Sequence, residues 1–423
     1  MEGFKKYFKN TSWLLGNRAY GMLVGFFVSV LVTRYLGVEN YGTLSYAISF
    51  VGLFGFIANL GIEQVLYRDL IKHKHKENEL IGTALMLRLV SGSVAMLIAI
   101  AFAYLTKEQS NIMFLITVIS ASFIFQAFNV INYAFQARVH AKFPSIATFI
   151  VVSILAVLKL IVVLGGKGFY YFAVIYTLES LLYGIIFLYF YNKYYSSPFG
   201  WKFDKRIAKE MLIESAPLLL STVFISIYSR IDQVLLKNMI NVSAVGIYDV
   251  AVRLSELWYF IPTILVGSLF PSIVNAKNTD EKVYAKRFIS LTLMLVSLSA
   301  ITGLIVTVFA HFMLSILYGQ EFIGGYRVLQ LYVWSGIGMS LGMVINQFLI
   351  TEKLARTILY TSIIGMVLNL ALNLILIPKY GINGSAFATL VSYIVGPLSV
   401  VIFPEARRKI FRLISLAKFN SKA

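Results

Sequence analysis

The amino-acid sequence predicts an all-α integral membrane protein with twelve transmembrane helices, arranged as two six-helix bundles. Three observations predict this fold: a composition dominated by apolar residues, twelve apolar stretches long enough to cross a bilayer, and an internal repeat of six stretches. Of 423 residues, 59% are hydrophobic and 13% are charged, proportions typical of integral membrane proteins rather than of soluble domains. The chain contains no cysteine, which excludes disulfides, thiol nucleophiles and cysteine metal sites.

Twelve apolar stretches reach the length of about 20 residues that a helix needs to cross about 30 Å of hydrocarbon. The first stretch follows MEGFKKYFKN and lacks the small-residue cleavage site of a signal peptide, so we expect it to be retained as a span. The segments between the stretches are too short for a soluble domain. The predicted spans are 11–35, 42–67, 80–105, 111–136, 144–165, 168–190, 211–237, 244–272, 287–316, 325–351, 355–377 and 382–403.

Lysine and arginine are distributed unevenly over the predicted loops. When the loops are assigned alternately to the two sides of the membrane, one side holds 26 basic residues and the other holds 6. The positive-inside rule places the richer side, together with both termini, in the cytoplasm. The net charge of +18 therefore reflects topology and attraction to membrane lipids, and we expect no nucleic-acid partner.

Five basic residues fall inside predicted spans, where a charge costs roughly 2.5–3.5 kcal/mol and usually marks a polar cavity or an ion pair. Lys159 lies near a helix end and could extend to the interface, whereas Arg253 could pair with Asp249 or Glu256 on its own helix face. The other three have no such local explanation, and we expect them to face one aqueous cavity. These three are Arg18, Arg88 and Arg230.

The motif SRIDQVLL, Ser229 to Leu236, places Arg230 and Asp232 inside the seventh predicted span. Residues two apart on a helix point about 200° away from each other, so these two cannot neutralise one another and each requires another partner. A partly buried carboxylate can exchange a proton. The embedded acidic residues of this kind include Asp232, Glu179, Asp249 and Glu256.

A polar face is predicted around FQAFNVINY in the fourth span. Asn129, Asn132 and Gln136 recur at helical spacing and offer uncharged hydrogen-bonding groups inside the membrane. Asn129 and Asn132, with the five embedded basic residues, are our candidate substrate-binding residues. An arginine-lined cavity favours an anionic cargo, because guanidinium groups bind phosphate and stay charged. The 26 tyrosines and 33 phenylalanines could stack on sugar rings, although membrane interfaces collect aromatic residues in any case.

Three segments of the first half recur in the same order in the second half, at offsets of about 204 to 214 residues. VLVTRYLGVENYGTLSYA matches VLLKNMINVSAVGIYDVA, INYAFQARVHAK matches INQFLITEKLAR, and GKGFYYFA matches KYGINGSA. This pattern predicts a parallel repeat related by a pseudo-twofold axis along the membrane normal. We expect an N-terminal six-helix lobe at 1–200 and a C-terminal six-helix lobe at 201–423, with a substrate site between them.

The segments RYLGVENYGTLSYAISF and IDQVLLKNMINVSAVGIYDVA, with the six-plus-six plan, resemble the Wzx-type polysaccharide flippases of the multidrug/oligosaccharidyl-lipid/polysaccharide (MOP) exporter superfamily over essentially the whole chain. The resemblance implies a V-shaped, MATE-like pair of bundles that moves an undecaprenyl-pyrophosphate-linked oligosaccharide from the cytoplasmic to the periplasmic leaflet of a bacterial inner membrane. It implies a transporter rather than an enzyme, with H⁺ or Na⁺ as coupling ion and no other cofactor. Given this coupling, the candidate ion-coupling groups are the embedded acids Asp232, Glu179, Asp249 and Glu256. Membrane lipids and other polysaccharide-assembly proteins are the further expected partners.

Other functions remain open from the sequence. A multidrug or cation antiporter of the same superfamily would usually present an acid-dominated pocket, against which the five embedded basic residues argue. A peptidoglycan-precursor flippase is excluded by no residue. A membrane oligosaccharide polymerase would usually carry a large outer loop, whereas the longest predicted outer loop, near GQEFIGGY, is short.

Overall fold

The computed structural model describes residues 2–277 and 279–418, and within these ranges the chain is helical and contains no β-strand. Contacts divide the chain into two compact units, Met1–Ser226 and Ile227–Ala423. In the described ranges, 8 helical segments are long and apolar enough to cross a membrane, and a ninth is formed if Gln320–Tyr332 and Ser335–Thr351, bent by 44°, make one span. The protein is therefore an all-α, multi-pass membrane protein.

The helices of the first unit run from the N-terminus to the segment that ends just past the unit boundary. Short 3₁₀ turns at Lys74–Lys76, Ala127–Asn129 and Pro198–Gly200 connect some of them. The α-helices are α1 (Glu2–Gly52), α2 (Gly55–Asn59), α3 (Glu63–Lys72), α4 (Glu77–Leu105), α5 (Ser110–Ser120), α6 (Ser122–Gln126), α7 (Val130–Ala137), α8 (Lys142–Leu164), α9 (Tyr170–Tyr194) and α10 (Lys205–Tyr228).

The second unit begins with a short helix after the break at Ser229 and Arg230. Its 3₁₀ turns are Leu257–Tyr259, Gln320–Gly325 and Ser399–Ile402. Its α-helices are α11 (Ile231–Met239), α12 (Val242–Glu256), α13 (Phe260–Lys277), α14 (Glu281–Tyr318), α15 (Tyr326–Tyr332), α16 (Ser335–Thr351), α17 (Ala355–Leu398) and α18 (Pro404–Lys418).

Helix α1 bends at Gly37, whose φ of 69° and ψ of 178° are not helical. Before this residue, α1 runs parallel to α8, because contacts advance along both helices together. Tyr20 Oη lies 2.7 Å from Ser153 Oγ, and Tyr35 Oη donates a hydrogen bond of 2.9 Å to the carbonyl oxygen of Lys167 just beyond α8. A glycine is required here, because a positive φ is unfavourable for residues with a Cβ atom.

After Gly37 the same helix runs antiparallel to α4. Tyr46 Oη donates a hydrogen bond of 2.6 Å to Glu108 Oε1, past the end of α4. The Phe50 ring then lies 5.9 Å from the Phe102 ring, farther back along α4. Helix α1 therefore comprises two segments joined at Gly37, as the separate predicted spans 11–35 and 42–67 require.

Helix α17 reverses in a similar way at Gly381, where φ is 58° and ψ is −138°. Residues on the two sides of Gly381 pack against each other in antiparallel order. A Cβ atom at Gly384 would lie 2.4 Å from the Leu376 carbonyl oxygen, and one at Gly365 would lie 3.6 Å from the Gly396 Cα atom. The helix therefore forms a closely packed hairpin that accounts for the predicted spans 355–377 and 382–403.

The internal repeat is visible in the backbone of both units. Val139 and Lys353 occupy the same place in INYAFQARVHAK and INQFLITEKLAR, and both have a positive φ, of 58° and 60°. The His140 amide closes the first turn with a hydrogen bond of 2.9 Å to Phe135, and the equivalent amide of the second turn bonds in the same way. A side chain with a Cβ atom seldom adopts this conformation, so the shared turn supports the predicted duplication.

Each unit has its own apolar core. Phe135, Phe187 and Tyr191 are buried in the first core, and Phe288 and Phe348 are buried in the second. Many apolar side chains of the long helices are instead exposed at the surface, as expected for helices whose outer faces contact lipid. The apolar cores stabilise the two units, whereas the polar residues buried among the helices are candidates for a functional site.

Candidate functional site

The first unit contains a cavity of about 720 Å³ that lies among its membrane-spanning helices. Helices α1, α3 and α6 to α9 contribute to its walls, together with the 3₁₀ turn Ala127–Asn129. The wall is unusually polar for a helical bundle inside a membrane. Its lining residues are Asn17, Tyr67, Gln126, Asn129, Asn132, Tyr133, Gln136, Ala141, Pro144, Thr148, Tyr176, Glu179, Ser180, Tyr183 and Phe187.

One wall of the cavity is formed by the segment from α6 to α7. Gln126, Asn129, Asn132 and Gln136 are spaced by three or four residues, so consecutive helical turns present their amides to the same side. The prediction that Asn129 and Asn132 lie on a common polar face is in keeping with their places in this wall. Helical spacing brought them together although the segment changes from α-helix to 3₁₀ turn and back.

A second wall is formed by α9, which contributes Tyr176, Glu179, Tyr183 and Phe187 at helical spacing. Glu179 is the single charged residue among the described lining residues. Lys159 on α8 exerts an electrostatic attraction on this carboxylate. The structure thus brings the predicted residues Glu179, Asn129 and Asn132 to one cavity, while Lys159 is not among the described lining residues.

Two amide oxygens of the lining residues are buried without a hydrogen-bond partner in the described part of the chain, Asn17 Oδ1 and Asn132 Oδ1. A buried polar atom without a partner costs about 1–3 kcal/mol. Asn17 was not predicted from the sequence, because it stands alone in an apolar stretch beside the more conspicuous Arg18. These amides make the cavity a hydrogen-bonding environment in the membrane interior.

Arg88 on α4 does not face an open cavity as we expected, because its side chain is only 2% exposed. Its guanidinium donates a short hydrogen bond to Asn59 Oδ1 and lies 3.7 Å from Glu63 Oε1. Tyr133, one of the lining residues of the cavity, interacts with Arg88 and Glu63 as well. The expectation failed because the partners of Arg88 lie on two other helices, Asn59 on α2 and Glu63 on α3, which the spacing of residues within α4 could not indicate.

Of the other two arginines predicted to face an aqueous cavity, Arg18 and Arg230, the structure describes the side chain of Arg230 alone. The side chain of Arg18 lies outside the described residues. Arg230 is exposed and lies at the break between α10 and α11, immediately before the first residue of α11. The prediction that Arg230 and Asp232 share one continuous helix was therefore wrong. The carboxylate of Asp232 is instead held by Tyr248, Asn373 and Thr389.

Asp232 is the centre of a buried polar cluster in the second unit, and its side chain is 6% exposed. Its Oδ1 accepts a hydrogen bond of 2.8 Å from Asn373 Nδ2. Its Oδ2 accepts hydrogen bonds of 2.8 Å from Tyr248 Oη and 2.5 Å from Thr389 Oγ1. Asn369 adds an amide oxygen 3.1 Å from Asn373 Nδ2. We call these five residues the Asp232 cluster.

The Asp232 cluster joins α11 and α12 to both arms of the α17 hairpin. In the described part of the chain, Asp232 has no lysine or arginine within salt-bridge distance. A buried carboxylate without a counter-charge is costly unless it takes up a proton or a cation. Carboxylate, amide and hydroxyl oxygens are the ligands that hard cations prefer, so these residues suit H⁺ or Na⁺.

The remaining two ion-coupling candidates lie on α12, next to this cluster along the chain. Asp249 is 3% exposed and accepts hydrogen bonds from Gln233 Nε2 at 2.7 Å and from Arg253 Nε at 2.6 Å. Glu256 accepts a hydrogen bond of 2.9 Å from Tyr332 Oη. Of the two partners expected for Arg253, the structure selects Asp249 for the salt bridge, which neutralises this carboxylate and leaves Asp232 as the uncompensated one.

Comparison with known sequences places the chain in a family. The profile described as "Polysaccharide biosynthesis protein" matches residues 7–277, and the profile described as "MatE" matches residues 217–375. The chain is 31% identical over 189 residues to "Probable flippase AglR" of Haloferax volcanii, covering 42% of this chain and 38% of that protein. It is 28% identical over 171 residues to "Probable low-salt glycan biosynthesis flippase Agl15" of the same organism, covering 40% and 36%. The matches thus span less than two fifths of the length of these two relatives.

Comparison with solved structures identifies the fold. An inward-facing multidrug resistance MATE family transporter of the MOP superfamily superposes with a TM-score of 0.78 at 16% identity, covering 95% of this chain and 96% of that one. The lipid II flippase MurJ in an inward closed conformation gives a TM-score of 0.68 at 15% identity, covering 95% and 89%. The predicted all-α membrane fold, shared with a MATE family transporter, is confirmed. The polysaccharide biosynthesis profile matches more than half of the sequence, and the chain belongs to the polysaccharide biosynthesis protein family.

Proposed function

We propose that the protein is a flippase that moves a lipid-linked oligosaccharide across a membrane by alternating access. The observation that carries this proposal is the polar cavity of about 720 Å³ among the membrane-spanning helices of the first unit. A bilayer offers a sugar head group no hydrogen-bonding partners, so a protein that moves such a group must supply them within the membrane. The names of the relatives AglR and Agl15 support the same function.

The cargo that we propose is an undecaprenyl-pyrophosphate-linked repeat unit, moved from the cytoplasmic to the periplasmic leaflet of a bacterial inner membrane. Both termini are proposed to be cytoplasmic, because the predicted loops on that side hold 26 of the 32 loop lysines and arginines. Membrane lipids and other polysaccharide-assembly proteins are the further proposed partners. A drug antiporter is the rival function, because Glu179 is the single charged residue among the described lining residues of the cavity.

Basic residues are proposed to attract the pyrophosphate. Arg230 suits this role best among the described candidates, because it is exposed and lies at a helix break. Arg18 remains a candidate from the sequence. Arg253, whose side chain is 42% exposed, and Lys159 would act through the acidic residues that they already attract. Arg88 is proposed to have a structural role instead, because it is buried.

The Asp232 cluster is proposed to carry the coupling ion, H⁺ or Na⁺. It suits this role because a buried carboxylate without a counter-charge gains stability from a bound cation, and because it joins helices that are distant in sequence. A cation would therefore change the packing of α11 and α12 against the α17 hairpin. Glu179, Asp249 and Glu256 are secondary candidates.

Deletion of the gene in the native host tests the proposed function. We expect the surface glycan to decrease and complete repeat units to accumulate on the carrier lipid, because assembly continues while export stops. Extraction and mass spectrometry of lipid-linked oligosaccharides would measure this and identify the cargo. An unchanged glycan with altered resistance to cationic drugs would contradict the proposal and favour the antiporter.

A further inference from the structure

We infer that the cavity of the first unit binds an uncharged, hydroxyl-rich portion of the glycan and excludes the phosphate groups and acidic sugars. This inference rests on the proposed function and assigns one part of the cargo to one site. It is carried by the chemistry of the lining residues, their helical spacing on α9 and on the segment from α6 to α7, and the charge of the cavity.

The amides provide hydrogen bonds of the kind that sugar hydroxyls require. An asparagine or glutamine side chain presents an acceptor oxygen and a donor NH₂ group, and a hydroxyl is both donor and acceptor. Four such amides come from the wall between α6 and α7, and Asn17 on α1 adds a fifth. Asn17 Oδ1 and Asn132 Oδ1 have no hydrogen-bond partner in the described part of the chain, so both retain the capacity to accept a hydrogen bond after local rearrangement.

The tyrosines provide a second feature that favours carbohydrate. Tyr67, Tyr133, Tyr176 and Tyr183 contribute rings and hydroxyls to the lining. The face of an aromatic ring carries partial negative charge, which attracts the polarised C–H groups of a sugar ring. The volume of about 720 Å³ lies within the range of roughly 300–1,000 Å³ that is usual for small-molecule sites.

The charge of the cavity determines which part of the cargo it can hold. Glu179 accepts hydrogen bonds from hydroxyls strongly when ionised, whereas it repels phosphates and the carboxylates of uronic acids. No basic residue is among the described lining residues: Lys159 attracts Glu179 from outside the lining, and Arg88 is itself buried and contacts Asn59 and Glu63. A pyrophosphate would therefore meet the carboxylate of Glu179 and no basic lining residue, while an uncharged sugar would find hydrogen-bond donors and acceptors on the segment from α6 to α7 and on α9.

Ligand-detected saturation-transfer NMR on the full-length protein in lipid nanodiscs would test this assignment. The probes are N,N′-diacetylchitobiose, which is uncharged, cellobiouronic acid, which carries one carboxylate, and inorganic pyrophosphate. We expect the uncharged disaccharide to bind, and the uronate to bind at least about tenfold more weakly because Glu179 repels it. In Glu179→Gln, which keeps the shape of the side chain, this discrimination should fall to about threefold or less.

The variants Asn129→Ala and Asn132→Ala should each weaken binding of the uncharged disaccharide about fivefold or more, because each removes a hydrogen-bonding amide from the wall. Gln109→Ala, which changes an exposed amide outside the cavity, is the matched control and should bind like the parent protein. If an alanine variant unfolds, the uronate discrimination of Glu179→Gln decides the question, since that substitution changes charge and little else.

Three results would overturn the inference: failure of the parent protein to bind the uncharged disaccharide, tighter binding of the uronate, or pyrophosphate that competes with the disaccharide for the cavity. Glycan export, measured with the same variants, distinguishes a wrong assignment of the cavity from a wrong proposed function. If the parent gene supports export and the cavity variants bind the disaccharide and export glycan normally, the assignment of the cavity is wrong but the proposed function stands. A gene deletion without accumulation of lipid-linked oligosaccharide would contradict the proposed function itself.

Discussion

Asp232 on α11 accepts a hydrogen bond of 2.5 Å from Thr389 Oγ1 on α17, across 157 residues of sequence. This bond ties the first helix of the second unit to the second arm of the α17 hairpin. Tyr248 and Asn373 hold the same carboxylate from α12 and from the first arm. A change in the charge of one side chain therefore acts on four helical segments at once.

The substitution Asp232→Asn should abolish coupled export while the protein remains inserted in the membrane. The amide has nearly the same shape but cannot bind a proton or provide a negative charge for Na⁺. We expect the amount of surface glycan in a deletion strain complemented with Asp232→Asn to be no higher than in the deletion strain itself. Glu210→Gln, which changes an exposed carboxylate on α10, is the control. Normal export by Asp232→Asn would remove this residue from the coupling mechanism.

Two glycine substitutions, one in the α17 hairpin and one in α13 as its control, are predicted to have opposite effects on stability. In Gly384→Ala the new Cβ atom would lie 2.4 Å from the Leu376 carbonyl oxygen, and overpacking of this kind costs about 1–3 kcal/mol. Gly267 in α13 has no atom within 4 Å of the position that a Cβ would take, so Gly267→Ala should be neutral or stabilise the helix by up to about 1 kcal/mol. Thermal unfolding in detergent measures both. Equal melting temperatures for the two variants would argue against the hairpin.

Glu352 predicts a pH dependence of stability outside the membrane-spanning segments. It forms salt bridges with Lys277 at 2.5 Å and with Lys409 at 3.2 Å, which connect the turn after α16 to the end of α13 and to α18. Burial alone would raise the pKa of Glu352, but hydrogen bonds from both lysines outweigh it and hold the pKa below its usual value of 4.5. Because the folded state binds its proton less readily, this stabilisation is present above about pH 4.5 and is lost as the pH falls through the lowered pKa.

We therefore expect Glu352→Gln to lower the melting temperature at neutral pH and to reduce its decline on acidification below about pH 4.5. Glu405→Gln is the comparison, because Glu405 also lies near Lys409 but is 58% exposed. Melting curves recorded from pH 3 to pH 7 would make the measurement. A decline in Glu352→Gln as steep as that of the parent protein would show that other carboxylates determine the acid sensitivity.

Arg88 is predicted to support the fold rather than to bind cargo. The substitution Arg88→Met keeps much of the side-chain volume but removes the donors to Asn59 and the positive charge near Glu63. Loss of such buried hydrogen bonds costs about 1–3 kcal/mol, so the melting temperature should fall. Binding of N,N′-diacetylchitobiose to the protein that remains folded should be unchanged. A variant of normal stability that fails to bind pyrophosphate would restore Arg88 to the anion-binding role.

The sequence alone predicted the membrane fold well, because each span requires its own apolar stretch of about 20 residues and each cytoplasmic loop carries its own excess of lysine and arginine. The turns at Val139 and Lys353 follow the repeat that was read from INYAFQARVHAK and INQFLITEKLAR. The break at Gly37, where the backbone leaves the helical conformation, falls between the predicted spans 11–35 and 42–67.

Contacts between distant helices limited the prediction of the sites. Spacing rules relate a residue to its own helix, so they identified the Asp249–Arg253 pair but missed Asn59 as the partner of Arg88. Asn369 and Asn373 were not predicted as site residues, because their partner Asp232 lies on another helix, more than 130 residues earlier in the sequence. Their spacing of four residues in LNLALNLIL places both on one helix face and was the available signal for the Asp232 cluster.

Transport of a lipid-linked oligosaccharide in proteoliposomes made with the purified protein would show directly whether the protein is a flippase. The cargo would be the carrier-linked glycan extracted from the deletion strain, and its appearance in the opposite leaflet would be followed with a glycosidase that cannot cross the bilayer. We expect the parent protein to move the cargo under an H⁺ or Na⁺ gradient and Asp232→Asn to move it no faster than empty liposomes. Cargo that remains in its original leaflet with the parent protein, under either gradient, would contradict the account.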